Sequence, residues 1–405
     1  MKILHTADWH LGQKFLSRDR IEEHQGALDW IRTTIVEQEV EVLLVSGDIF
    51  DIGNPPSYAR QLYYKFLTSL QGTFCRHVVI IGGNHDSPSM LNAPKELLEI
   101  LNVHIVGAVT KDLQDEIIVL KNEKGKEELV IAAVPFLRDR DIRFSVAGES
   151  GSERVARVRE GIAQHFEEVG ALAEAYIEHK VPILAMGHLH AKGASASPDQ
   201  AKIYIGDIEN IEGNQFPDVF DYVALGHLHR AQLVNKQNHI RYSGSIIPLS
   251  FGEIQDKKSV YIIEFDKHKL QHIEEVKIPR FRALISVQGT IDKVKERLTK
   301  VDEDRKGELI PWIEIQVEIE ETIPNIDSEL RDFSKDFWLN ILKIRTKRQH
   351  QALEELTEMV NLDDLTPLEV FQKKCNSDGL MEENVQSELN HTFQELQDWM
   401  SEREE

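Results

Sequence analysis

Cysteine is almost missing from this chain. Cys75 and Cys375 are its only two, far apart in sequence, so no disulfide framework is expected and both read as reduced thiols of a cytoplasmic protein. No run of 18 apolar residues occurs, which excludes a membrane-spanning helix. Met1 leads straight into an apolar strand without the h-region of a secretory signal, so the expected location is inside the cell. Positive charge is the minority sign: 47 Lys and Arg against 69 Asp and Glu give a formal charge of -22. That argues against a uniformly basic nucleic-acid binder. It leaves open phosphate contacts in a local basic groove or on a partner subunit.

What is present is ordinary globular material, 41% hydrophobic and 29% charged over 405 residues, enough for two or three domains. The first 277 residues repeat one pattern: a short buried strand, a polar tip, then a helix. Residues 2–7 form a strand ending in Asp8-Trp9-His10, and a helix follows over about 20–38. Residues 40–46 lead into Gly47-Asp48-Ile49-Phe50-Asp51, and 77–81 into Gly83-Asn84-His85-Asp86. Two later strands, at 182–186 and 221–225, both end in Gly-His-Leu-His, giving His188 and His190, then His227 and His229. A charged helical region spans 154–179, with a possible break at Gly170, and 241–245 and 259–265 read as closing strands. The pattern predicts an α/β sandwich with its functional side chains at the C-terminal ends of the strands.

The tips carry Asp8, His10, Asp48, Asn84, His188, His227 and His229. An Asp and a His two apart on an extended segment point the same way. Seven oxygen and imidazole donors are too many for one cation and suit two that share a carboxylate. With no Cys among them, Mn²⁺, Fe²⁺ or Zn²⁺ fits better than Ca²⁺ or Mg²⁺. Two cations roughly 3.5–4 Å apart suit phosphoester hydrolysis, one activating a water and both neutralising phosphate oxygens. Asp48 is the expected bridge, because an Asp beside Gly47 at a tight turn can present both carboxylate oxygens. His85 could steady the phosphorane or protonate the leaving oxygen, with Asp86 orienting its ring. Asp51 is a candidate hydrogen-bond partner for one of the metal-binding histidines. His5 reads as a core residue or a support behind the donors. Lys14, Arg18, Arg20, Arg138, Arg140, Arg143 and Lys192 are candidates for a DNA-facing surface.

Beyond Pro279 the order strand, helix, strand, helix, strand predicts a small α/β domain over 278–350. From 351 to 405 the pattern is helical and amphipathic, with Leu389, Phe393, Leu396 and Trp399 on one stripe. From Asn376 onward nine acidic residues accompany a single basic one, Arg403, which suits docking to a partner.

Asp8-x-His10, Gly47-Asp48, Gly83-Asn84-His85-Asp86 and Gly226-His227-x-His229 resemble the motifs of calcineurin-like metallophosphoesterases. The stretches 2–12, 47–51, 55–59 and 242–251 are more closely similar to the SbcD family of bacterial nuclease subunits. The resemblance implies a four-layer sandwich of two β-sheets flanked by helices, with a small α/β capping domain and C-terminal helices. It implies one Mn²⁺ on Asp8, His10 and His229, another on Asn84, His188 and His227, with Asp48 bridging and His85 facing the phosphate; Mg²⁺ is a further possible occupant. It also implies an ATP-dependent double-strand exonuclease and a single-strand and hairpin endonuclease in DNA repair, recombination and replication. The implied assembly has two copies of this chain, self-associated, and two SbcC ATPase subunits, which bind the ATP and whose coiled coils receive the C-terminal helices. The implied location is cytoplasmic, at the nucleoid. Archaeal and eukaryotic relatives carry a further His just after the Gly-Asp motif where this chain has Asp51, so no role for that histidine carries over. A small-substrate phosphatase or cyclic-nucleotide phosphodiesterase would use the same centre, but would need neither the domain after Pro279 nor the acidic tail.

Overall fold

The computed structural model describes residues 1–142, 151–192, 210–212, 215–305, 307–319 and 325–348. Met1–Lys347 forms one compact unit, to which this description is confined; the helical region expected over 351–405 lies outside the described residues. No helix among them is long and apolar enough to cross a membrane.

The near-continuous apolar runs of the early strands require a sheet covered on both faces. The first sheet has the order Lys269–Lys277, Ser259–Asp266, Lys2–Thr6, Val42–Ser46, His77–Ile81, Val103–Val106. The last four strands are parallel, and the two late ones close it antiparallel. A second sheet runs Gln232–Val234, Gln237–Tyr242, Tyr222–Gly226, Ile183–His188, Glu127–Ala133, Ile117–Lys121, with its four central strands parallel.

Alternation along the strands sorts the core. Ile3, Val42, Leu44, Val79 and Ile81 face Leu129, Ile131, Leu184, Met186 and Tyr222 between the sheets. Leu4, Leu43, Val45, Val78 and Ile80 point outward to Leu28, Ile31, Ile35, Leu62 and Phe66 of the helices Ile21–Glu37 and Ser57–Ser69. Val130, Ala132, Ala185 and Val223 do the same beneath Val158, Ile162, Phe166 and Val169 of the helix Gly151–Glu174. Each fully buried aliphatic side chain contributes about 1.5–3 kcal/mol, and the result is the expected four-layer sandwich of two sheets flanked by helices.

Several local expectations are corrected. Gly170 does not break its helix; it lets Pro217 approach, since a Cβ there would stand 2.7 Å from the proline ring. The strand expected at 241–245 is Gln237–Tyr242, and residues 243–245 leave the sheet. The edge strand Lys269–Lys277 and the short helices Pro88–Asn92 and Lys95–Glu99 were not anticipated. The edge strand is polar and largely exposed, so its sequence carries no apolar alternation to read.

After Pro279 the strands Arg282–Gly289, Leu309–Ile319 and Asn340–Arg348 form a three-stranded sheet, the first two parallel. The helices Ile291–Asp304 and Ile326–Phe333 contribute Val294, Leu298 and Leu330 to its own apolar core. Phe15, Leu284 and Trp312 join this layer to the larger sandwich. Arg282 Nε donates to buried Glu23 at 2.9 Å, and its guanidinium lies 4.4 Å from the Trp312 ring.

Candidate metal centre

Chain geometry past the first strand differs from the extended segment the Asp-x-His spacing implies. Asp8 (φ 51°) and His10 (φ 45°) adopt left-handed backbone, as do Asp48 (φ 49°) and, further into the positive region, His227 (φ 100°). The two residues therefore converge by turning, not by strand alternation. Between them Trp9 is fully buried, its indole N–H donating to Thr6 Oγ1 at 3.0 Å. The turn is laced to the next strand tip: Asp8 N donates to Gly47 O (3.0 Å), His10 N to Asp48 O (3.0 Å) and Leu11 N to Ile49 O (2.9 Å). Gly47 (φ 83°) is required here, because a Cβ would stand 2.3 Å from His188 Nδ1.

The first sheet's third tip is fixed by Asp86. Its buried carboxylate accepts the backbone N–H of Ile49 (3.1 Å), Phe50 (3.0 Å) and Gly83 (2.9 Å), binding the Asp48 and Asn84 turns together. Burial and the neighbouring Asp48 push the Asp86 carboxyl up to about 6. The expectation that Asp86 orients the His85 ring is therefore corrected. His85 Nδ1 donates to the backbone carbonyl of Asp51 at 2.8 Å, and the Asp86 oxygens are directed at backbone amides.

The second sheet brings in the histidines. His188 Nδ1 donates to Ser46 O at 2.8 Å, which leaves Nε2 3.0 Å from Asn84 Oδ1 and 3.2 Å from Asp48 Oδ2. His227 Nδ1 lies 3.0 Å from the same Asn84 oxygen, and its backbone N–H donates to Asp8 Oδ1 at 2.9 Å. His10 Nδ1 lies 3.2 Å from Asp51 Oδ1, while its Nε2 faces Asp48 Oδ2 at 3.6 Å. The His229 ring sits 5.1 Å from the His10 ring, and its Nδ1 is 3.1 Å from Glu253 Oε1.

All seven expected donors are thus brought to one edge of the sandwich. Two tight groups stand out among the described residues, Asp8 with Asp48 and His188, and His10 with Asp51 and His85. Their chemistry asks for positive charge. With Nδ1 on Ser46 O, Nε2 of His188 faces two oxygen acceptors, an arrangement that draws positive charge to it, whether a proton or a shared cation. Asp8 Oδ2 and His10 Nε2 are buried without a hydrogen-bond partner, which is costly unless another group engages them. Burial opposes charge on His10 and His188, yet the carboxylates override it: Asp51 and Asp48 raise His10 to about 9, and Asp48 raises His188 to about 9. Asp48 is held well below the usual carboxylate range against its burial, chiefly by His188, whereas burial pushes Asp8 up. A donor set of buried carboxylates and imidazoles, with Asp8 Oδ2 and His10 Nε2 not engaged by hydrogen bonds, fits divalent cations.

Sequence reasoning missed Glu253. It is buried, accepts from Leu249 N at 3.0 Å and pairs with Lys258 Nζ at 2.6 Å. No spacing rule ties it to His229 in advance. Arg20 is removed from the DNA-facing candidates: it is buried, donating to Pro248 O at 2.5 Å and lying 3.3 Å from Glu23. Arg143 and the Lys192 side chain lie outside the described residues. His5 takes the supporting position, with Nδ1 2.9 Å from Tyr222 Oη and Nε2 3.2 Å from Leu225 O.

Comparison with known proteins agrees with this geometry. Residues 1–231 match the calcineurin-like phosphoesterase family, and the chain belongs to that class of metal-dependent phosphoesterases. The SbcD subunit of the nuclease SbcCD from Escherichia coli K12 is 35% identical over 398 residues, covering 97% of each chain. Its namesake from Bacillus subtilis 168 is 30% identical over 322 residues and 79% of each chain. Within its class the chain is thereby a member of the SbcD family. Residues 280–378 match a second model, described as the type 5 capsule protein repressor C-terminal domain.

Proposed function

We propose that this protein is the nuclease subunit of an SbcCD-type complex, hydrolysing DNA phosphodiesters at a dinuclear Mn²⁺ centre. The observation that carries the reading is the meeting of carboxylates and imidazoles from both sheets, with buried lone pairs left over, in a chain similar along nearly its whole length to such subunits. Asp8, His10 and His229 would hold one cation, Asn84, His188 and His227 the other, and Asp48 both. When bound, the pair supplies an activated water and neutralises phosphate oxygens.

The chain's own residues orient and hold protons around that chemistry. Ser46 O keeps the His188 proton on Nδ1, so that Nε2 points into the cluster. The Asp51 carbonyl does the same for exposed His85, leaving its Nε2 to meet a phosphate or leaving-group oxygen. Asp86 acts one step back, by fixing the two turns that carry Asp48 and His85.

In this reading residues 1–277 are the nuclease domain, 278–350 a small domain that helps hold DNA, and 351–405 the helices that dock on the SbcC coiled coil. The working assembly is a self-associated pair of these chains with two SbcC ATPases, which use the ATP, acting on DNA ends and hairpins at the nucleoid in repair, recombination and replication. Purified chain with Mn²⁺, alone and with its ATPase partner and ATP, is expected to degrade linear duplex DNA and to open hairpins. Hydrolysis of a model phosphodiester with no attack on DNA under any of these conditions would sink the nuclease reading in favour of a small-substrate phosphodiesterase. Truncation after Gln372 is expected to end co-purification with the partner, and full co-purification would remove the docking role.

A further inference from the structure

The stretch after Tyr242 takes no part in the chemistry above, yet it is wrapped around one residue. Ser245 N donates to His229 O at 3.2 Å. Lys258 Nζ donates to the same carbonyl at 2.8 Å, to Ser245 Oγ at 2.8 Å and to Glu253 Oε2 at 2.6 Å. Glu253 Oε1 takes the His229 ring at Nδ1. Gly244 (φ 77°) makes the approach possible, since a Cβ there would stand 2.8 Å from His229 O. Backbone and ring of His229 are thus gripped by one network.

We propose that Glu253 and Lys258 are positioning residues for His229, holding its proton on Nδ1 so that Nε2 is presented to the cation beside His10. The inference rests on the dinuclear reading above. Lys258 is 6% exposed and Glu253 1%, and a buried ion pair of this kind is weak as a source of stability, since desolvation offsets much of the attraction. An apolar pair would fill the space as well. Here both charges are aimed at His229, one at the ring and one at the carbonyl. Lys258 Nζ, 2.6 Å from Glu253 Oε2, leaves Glu253 Oε1 to accept from the imidazole at Nδ1. His10 and His188 have their own Nδ1 partners, Asp51 and the Ser46 carbonyl, so loss of Glu253 should be felt at one cation position and spare the other.

The test uses the full-length chain, stripped of metal, and the double variant E253Q/K258M, which removes both charges while keeping the volume nearly constant. Nitrogen NMR of the imidazoles, with His229 assigned by its absence in H229Q, reads the tautomer; titration with Mn²⁺ followed by electron paramagnetic resonance reads the number and affinity of bound ions. The wild type should show an Nδ1–H tautomer and bind two Mn²⁺. The folded double variant should show a mixture of tautomers, bind one Mn²⁺ as before and hold the second about 10- to 100-fold more weakly. If the double variant fails to fold, E253Q alone carries the same readouts with a smaller shift. An unchanged tautomer and two unchanged affinities overturn the proposal. A wild type that binds fewer than two Mn²⁺ overturns the dinuclear reading instead, and the metal-free tautomer measurement still decides whether Glu253 and Lys258 position the ring.

Discussion

The two sheets deliver their halves of the centre by different means. The first sheet carries Asp8, His10, Asp48, Asn84 and His85 on turns whose backbones are laced to one another through the Asp8–Gly47 and His10–Asp48 hydrogen bonds and the Asp86 carboxylate. The second sheet carries His188, His227 and His229 on two strand ends, and two of the rings are fixed by acceptors elsewhere: His188 by Ser46 on the first sheet, His229 by Glu253 on a later turn. Carboxylates can be aimed by backbone alone, because either oxygen serves. An imidazole has two different nitrogens and needs a partner for one of them before the other is useful.

The sharpest way to break this comparison is at the residue both halves share. Asp48 receives His85 N–H at 2.9 Å and faces His10 and His188. Asp48→Ala is expected to abolish phosphodiester cleavage to background and to reduce uptake of both cations, read by metal analysis of the purified protein. Retention of both ions would show that the remaining donors of the two sheets suffice without the bridge.

Next comes His85, exposed and on the first sheet's side. His85→Ala should lower kcat by about 10²- to 10⁴-fold while metal content stays near that of the wild type. A matched loss of metal would move His85 from proton handling to ligation. Asp86→Ala attacks the backbone lacing itself. Three buried N–H groups lose their acceptor, at about 1–3 kcal/mol each before relaxation, so a urea midpoint lowered by several tenths of a molar or more is expected. No shift in that midpoint would mean that water or main chain replaces the carboxylate at no cost.

The smallest effect tests the seam between the sheets at His5. Burial, reinforced by Arg241 and opposed by the Leu225 carbonyl, lowers its pKa to about 3. The unfolded chain therefore binds this proton first. The stability contributed by keeping His5 neutral is fully present above its ordinary value near 6.5, and is lost as pH falls from there toward 3 at about 1.4 kcal/mol per pH unit. Melting temperatures of wild type and His5→Asn should accordingly converge on acidification through this window. Parallel curves would assign the acid sensitivity to other groups.

Strand tips were legible from sequence because each apolar run stops abruptly at polar residues, and the shared chemistry of Asp8, Asp48, His188 and His227 needed no distances to be noticed. Long helices followed for the same reason, from the spacing of Ala27, Leu28, Ile31 and Ile35. Three kinds of information were not legible. Left-handed turns at Asp8 and His10 replace the extended geometry that spacing alone suggests, and only the neighbouring Gly47 hinted at them. Asp86 and Glu253 act through space on partners that spacing rules do not link to them. Edge strand Lys269–Lys277 has little buried surface and so no periodic signature.

Left-handed backbone at Asp8, His10 and Asp48, and the still more positive φ at His227, also bears on how such a protein decays over generations. Aspartate tolerates that conformation better than most residues, and glycine tolerates it best. The chain thus keeps its working side chains where folding alone would accept or even favour a simpler residue. A descendant freed from the need to cut would have little to lose in stability at His10 and His227, and more at Asp8 and Asp48, whose carboxylates accept the His227 and His85 amides; the centre would erode while the sandwich around it endured. Intact sheets with glycine or asparagine at these four positions would mark a relative that has kept the scaffold and abandoned the reaction.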